Sequence, residues 1–157
     1  MIIGPFQFWK TFRGKYIKTH RFLGRVYLIA ILLGTISATN LAWTSGYKIS
    51  FSWAFGLQAL AFAWISTALM AYISVRRGRI MQHKEWMIRT YVLTANFIIF
   101  RLIFYGLLGI DGFPFKDDLG GFTAWAGWSI PLLFTEWILQ ATKIKRKHTR
   151  KAAQASL

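Results

Sequence analysis

The stretch ISFSWAFGLQALAFAWISTALMAYISV, residues 49–75, runs for 27 residues without a charged side chain. An α-helix rises ~1.5 Å per residue, so about 20 residues cross a hydrocarbon core of ~30 Å. An uncharged run of this length reads as a membrane-spanning helix. Its more polar members, Ser52, Gln58, Ser66 and Thr67, are few, and tilt or interfacial ends absorb the extra length.

Working outward, three further runs have the same character. Residues 22–43 carry no charge from Val26 onward, residues 86–109 are interrupted by Arg89 and Arg101, and residues 119–142 contain Pro131, which is expected to kink the helix, and Glu136. The connections Thr44–Lys48, Arg76–Glu85 and Ile110–Asp118 are short. Short connections make sequential helices antiparallel neighbours. The expected fold is therefore all-α, an up-and-down four-helix transmembrane bundle. Residues 1–157 form a single transmembrane domain, and 143–157 a basic cytoplasmic tail.

Composition agrees. Of 157 residues, 55% are hydrophobic and only 16% charged, which is unusual for a soluble domain of this size. The formal net charge of +15 would in a soluble protein suggest a nucleic-acid partner. The placement of the charges excludes that reading. Seventeen of the 20 Lys and Arg residues fall into three clusters: Lys10 to Arg25, Arg76 to Arg89, and Lys143 to Lys151. A nucleic-acid binder would spread them along one exposed face, with stacking aromatics between them. With an even number of spans all three clusters share one side, which the positive-inside rule makes cytoplasmic. The opposite side has only Lys48 and Lys116, beside Asp111, Asp117 and Asp118. The expected location is the cytoplasmic (inner) membrane of a bacterium, both termini inside, with anionic lipid as partner at the inner face. The absence of cysteine excludes disulfides, thiolate metal sites and thiol nucleophiles.

Trp43, Trp53, Trp125 and Trp128 fall at the outer interface in this reading, and Trp9 and Trp86 near the inner one, as anchors. Ala30, Gly34 and Ala38, with Ala59, Ala63, Thr67 and Ala71, recur at four-residue spacing and predict contact between the first two helices. The opening MIIGPFQFW is too short to span, and Gly4 with Pro5 would break a helix there. Its positive charges follow the apolar run, whereas a signal peptide's precede it.

The runs GPFQF at 4–8, HRFLGRVY at 20–27 and HKEWMIRTY at 83–91, followed by Arg101, resemble an uncharacterised bacterial membrane-protein family catalogued as domain of unknown function 2306. The resemblance extends to about residue 105. It implies a further helix before GPFQF that carries its own histidine, which this chain would lack, and it implies no activity.

Of the histidines, His148 lies in the basic tail, while His20 and His83 each sit at the cytoplasmic start of an outward-running helix. Two readings are open for that pair. They could ligate one haem b iron from both faces, with Arg21, Arg25, Lys84 and Arg89 pairing the propionates. Alternatively, both donate hydrogen bonds to lipid head groups or helix ends. Arg101 and Glu136 are intramembrane charges and so functional candidates. Along their helices Arg101 stands ~22 Å and Glu136 ~9 Å from the inner ends, which argues against a direct pair. Snorkelling, Arg101 outward and Glu136 inward, is the alternative. No paired catalytic carboxylates, phosphate loop or Ser/His/Asp constellation appears, and no catalytic or metal-ligating residue is assigned. The expected function is a non-enzymatic membrane or accessory protein; the alternative is a b-type haem-binding electron-transfer protein.

Overall fold

The computed structural model describes residues 16–109 and 119–155. The uncharged stretch forms α2 (Phe51–Arg76), flanked by α1 (Ile17–Leu41), α3 (Ile80–Leu108) and α4 (Leu119–Ala155), with no strand among the described residues. The connection expected at Thr44–Lys48 is not a loop. α1 continues through a π-helical segment, Ala42–Gly46, and a single turn, Tyr47–Ile49. The chain breaks only at Ser50, whose extended backbone (φ −161°, ψ 135°) starts α2. Thr44 helps to hold that extension by donating its hydroxyl to the Asn40 carbonyl at 2.8 Å.

The opposite turn, between α2 and α3, is built on Gly78. Its φ of +69° is left-handed, a region that costs other L-residues energy and glycine none. The amide of Gly78 bonds the Val75 carbonyl at 3.1 Å and that of Arg79 the Ser74 carbonyl at 2.9 Å. These are the two bonds that close a helix end when a left-handed residue follows it. The turn is so tight that α3 starts at Ile80, a turn and a half before the expected residue 86. α4 is also longer than expected: it runs through Pro131 and past residue 142 to Ala155. Lys, Arg and Ala are good helix formers, so the basic end stays helical once it leaves the packed region.

Side-chain contacts fix the directions. Ala71 meets His83 and Trp64 meets Thr94 across α2 and α3, and Glu85 meets Lys143 and Arg89 meets Glu136 across α3 and α4, so each pair is antiparallel. Tyr27 of α1 meets Thr94 of α3, two helices that run the same way. Lys18 and Arg21, then Arg76, Arg77 and Arg79, then Lys143 and Lys145 thus lie toward one end, termed here the basic end, while Arg25, level with residue 92, is ~10 Å further in than Glu85.

α2 is the central helix and packs on all three others, whereas α1 packs mainly on α2. The core is Ile31, Leu60, Trp64, Ala68 and Leu93, flanked by Tyr27, Leu28, Phe97, Trp128 and Leu132. Of the small-residue stripe predicted on α1, Gly34 does face α2: a methyl group there would lie 2.9 Å from the Trp64 ring. Ala30 is exposed. The buried residue of α1 is Ile31, so the contact is led by a large side chain, with a small one beside it to admit Trp64. On α2, Thr67 and Ala71 are buried and Ala59 and Ala63 half-buried.

Among the tryptophans expected as outer anchors, Trp43 and Trp125 are exposed. Trp128 is not an anchor. It lies nine residues into α4, ~14 Å from its start, and packs on the core. Trp53 lies against Gly46 and Gly120 and ties together the three helix ends opposite the basic end. Trp9, the GPFQF run and the residues 111–118 lie outside the described residues.

Candidate functional site

Two polar constellations cross the apolar interior. The first gathers on Thr94, whose hydroxyl lies 2.7 Å from the Tyr27 hydroxyl, accepts from Trp64 Nε1 at 3.0 Å and donates to the Thr90 carbonyl at 2.9 Å. A hydroxyl has one proton and two lone pairs. Because the proton goes to Thr90, Tyr27 must donate. One oxygen is thereby saturated by groups from α1, α2 and α3, with no polar atom left over. This is the kind of neutral interhelical contact that joins helices where water cannot compete.

The second constellation is charged. Arg89 of α3 donates through Nε at 2.8 Å and Nη2 at 2.6 Å to Glu136 Oε2 of α4, and Gln140 donates to the other carboxylate oxygen. The guanidinium lies over the Trp86 ring, 4.7 Å from its centroid. The side chains are exposed unequally, 11% for Arg89 and 41% for Glu136. The cation is thus tucked between helix and indole, and the carboxylate is at the edge. One to two turns nearer the basic end, Lys143 and Glu85 pair at 2.6 Å. These two bridges run in antiparallel order along α3 and α4 and fix their register.

Beside the ion pair is a cleft of about 390 Å³ between α2, α3 and α4, lined by Thr67, Trp86, Arg89, Trp128, Ser129, Leu132, Leu133 and Glu136. Charged side chains, aromatic rings and empty volume come together there.

Of the residues singled out in the sequence, Arg89 and Glu136 are brought together. Arg101 is apart from both, exposed, and donates to the Phe97 carbonyl of its own helix at 2.8 Å. His83 is half-buried, with Nδ1 2.8 Å from the Ala71 carbonyl. A carbonyl only accepts, so Nδ1 carries the proton and Nε2 is the basic nitrogen. His20 is half-buried near the start of α1, while Arg21 and Arg25 are exposed. The Tyr27–Thr94 contact sets the register of α1 on α3 and places His20 level with residue 87, offset from His83 by about one turn, ~6 Å, along the helix axes. Among the described residues no group of three or more His, Asp or Glu side chains gathers as a metal site. Sequence reasoning missed Arg89 as the partner of Glu136, and with it Trp86, Gln140 and the Glu85–Lys143 bridge. The spacing Glu136 to Gln140, one helical turn, was the readable part of the signal.

Helices of this kind have to be read with their surroundings. Ile17–Gly46, Phe51–Arg76 and Ile80–Leu107 are each long and apolar enough to cross a membrane, and their outward faces carry Leu32, Leu33, Phe62, Leu69, Ile98 and Leu102 in the open. Such continuous apolar surface on three sides has hydrocarbon as its solvent. Residues 1–139 match the family described as Predicted membrane protein (DUF2306). The chain belongs to this family. The match reaches well beyond residue 105 and takes in both Arg89 and Glu136. No curated protein and no solved structure matches the chain. The DUF2306 chain is thus a membrane protein of several apolar helices, with a neutral hydroxyl junction and an ion pair beside a cleft among its described residues.

Proposed function

We propose that this DUF2306 protein is a non-enzymatic, multi-pass component of a bacterial cytoplasmic membrane, an accessory or assembly protein, with α4 as a fourth span and both termini inside. The observation that carries this is the gathering of Lys18, Arg21, Arg76, Arg77, Arg79, Lys143 and Lys145 toward one end of four alternating helices. Positive charge is retained on the cytoplasmic side. α4 is more dilute in apolar residues than the others, with Gly, Trp, Pro131, Glu136 and Gln140 along it. Those polar members face α3 and one another, which suits a span held by its neighbours. The ion pair supports a scaffold role, since both Glu136 carboxylate oxygens are taken, one by Arg89 of α3 and one by Gln140. Reporter fusions after Lys145 are expected to read as cytoplasmic and fusions within residues 111–118 as external. An external C-terminus would overturn the reading. The basic end attracts anionic lipid at about 1 kcal/mol per well-placed charge, and a lipid preference that ignores salt would count against it.

A second reading, a b-type haem between His20 and His83, is favoured by one feature. The Nδ1–H of His83 is held by a backbone carbonyl, the support that commonly orients a metal-ligating imidazole and leaves Nε2 for the iron. Protein produced with ample haem would then give a Soret band that His83→Ala removes. A colourless preparation leaves the scaffold reading alone.

A further inference from the structure

Four polar side chains on the wall of the cleft are already engaged within the chain. Thr67 donates to the Trp64 carbonyl at 3.0 Å, Ser129 to the Trp125 carbonyl at 2.8 Å, and Arg89 and Glu136 bind each other. Trp128 Nε1 has no partner among the described residues, but beyond that one donor and the remaining Arg89 N–H groups an occupant finds little to bind with polar atoms. It meets carbon instead: the Trp86 and Trp128 rings, Leu132 and Leu133. The cleft opens sideways, since Leu133 on its wall is 69% exposed, and what lies sideways of these helices is lipid. A hydrocarbon chain is the complementary occupant.

Depth and charge say which chain. Glu136, at the end of the cleft nearer the basic end, is seven residues from Lys143, and Ser129 seven residues further down; at helical rise the cleft therefore occupies depths of ~10 to ~20 Å below Lys143. A phospholipid with its head at the basic end, in a hydrocarbon core ~30 Å thick, places the lower part of an acyl chain there. The rim carries Arg76, Arg77, Arg79, Lys84, Lys143 and Lys145 against Glu85, whose charge Lys143 takes up. An anionic head group is the one this rim favours. We propose that the cleft between α2, α3 and α4 is a resident-lipid site that holds one acyl chain of an anionic phospholipid, its phosphate on the basic rim. This deepens the anionic-lipid reading above and rests on α4 lying in the membrane.

The test reconstitutes the full chain in phosphatidylcholine vesicles doped with chain-labelled spin probes of phosphatidylglycerol or phosphatidylcholine, and reads the motionally restricted fraction. Phosphatidylglycerol is expected to be retained over phosphatidylcholine by at least roughly fivefold, the equivalent of one well-placed Lys or Arg. Ser129→Phe fills the cleft and is expected to remove the excess restricted fraction. Leu133→Phe, on the exposed wall where it cannot disturb folding, is expected to reduce it. Replacing Arg76, Arg77 and Lys145 by Gln is expected to bring phosphatidylglycerol down to the phosphatidylcholine level. Equal retention of the two lipids by the unaltered protein overturns both the site and the general lipid reading. A phosphatidylglycerol preference that both cleft-filling variants leave intact overturns the site alone and leaves surface attraction. The chain has no cysteine, so Leu133→Cys supplies a unique thiol. Slow reaction with a water-soluble maleimide is expected, and rapid reaction would overturn the membrane placement of α4 and the site with it.

Discussion

The Thr94 junction and the Arg89–Glu136 pair solve one problem in two ways. Both place polar atoms between helices where hydrocarbon replaces water. At Thr94 the donors and acceptors are neutral and their numbers match, so the junction is closed and lies against the core residues Trp64 and Leu93. At Arg89 the charges cancel and the guanidinium is covered by Trp86, but the carboxylate is left at the edge of a cleft. The neutral junction ties α1 and α2 to α3; the charged one ties α4 to α3. The difference teaches that α4, the least apolar of the four, adds electrostatics to the packing of Trp128 and Leu132 on the core. It is the helix on which a single substitution should act most strongly.

The largest expected effect comes from Glu136→Ala, which leaves the Arg89 guanidinium without its carboxylate and should lower stability by about 3 kcal/mol. Unfolding in detergent micelles reads it. Arg89→Leu combined with Glu136→Leu should recover most of the loss, and a double variant as unstable as the single would mean that the two charges are not coupled. Next is Gly127→Ala. A methyl group there would lie 2.5 Å from Asn96 Oδ1 on α3, and overpacking of this kind costs about 1–3 kcal/mol. The same measurement should find a smaller effect for Thr94→Val, about 1 kcal/mol, since Tyr27 and Trp64 lose a common acceptor. Adding Tyr27→Phe to Thr94→Val should then cost nothing further, whereas in the native background it should cost about half a kcal/mol. Equal costs in both backgrounds would break the assignment of Tyr27 as a donor to Thr94. Smallest is Arg101→Gln, expected within about 0.5 kcal/mol, because Arg101 bonds only its own helix among the described residues.

Much of the fold was legible because its cause is local. An uncharged run of 27 residues must satisfy its own backbone in lipid, and the helix is the single-segment way to do so. The helix-to-helix alternation followed from short connections. The ends were less legible: hydropathy marks where lipid contact stops, not where hydrogen bonding stops, so α3 and α4 extend into polar sequence at the basic end. The site was legible only in part. Arg89 and Glu136 stood out as charges in apolar runs, but nothing local says which residue of α3 faces which residue of α4. Depth counted from assumed span ends set Arg101 and Glu136 far apart without offering Arg89 as the alternative partner.

The sequence by itself determined the helices, their alternation and the concentration of basic residues at one end, because each follows from runs of side-chain polarity along a single chain. Only the tertiary structure decided that α2 is central, that Trp128 turns inward to the core, and that Arg89 reaches Glu136 beside a cleft. Those depend on the rotation of each helix about its own axis. In a chain whose helices are apolar on nearly every side, no polar face records that rotation, and it is set instead by where a Gly34 or a Gly127 lets a neighbour approach.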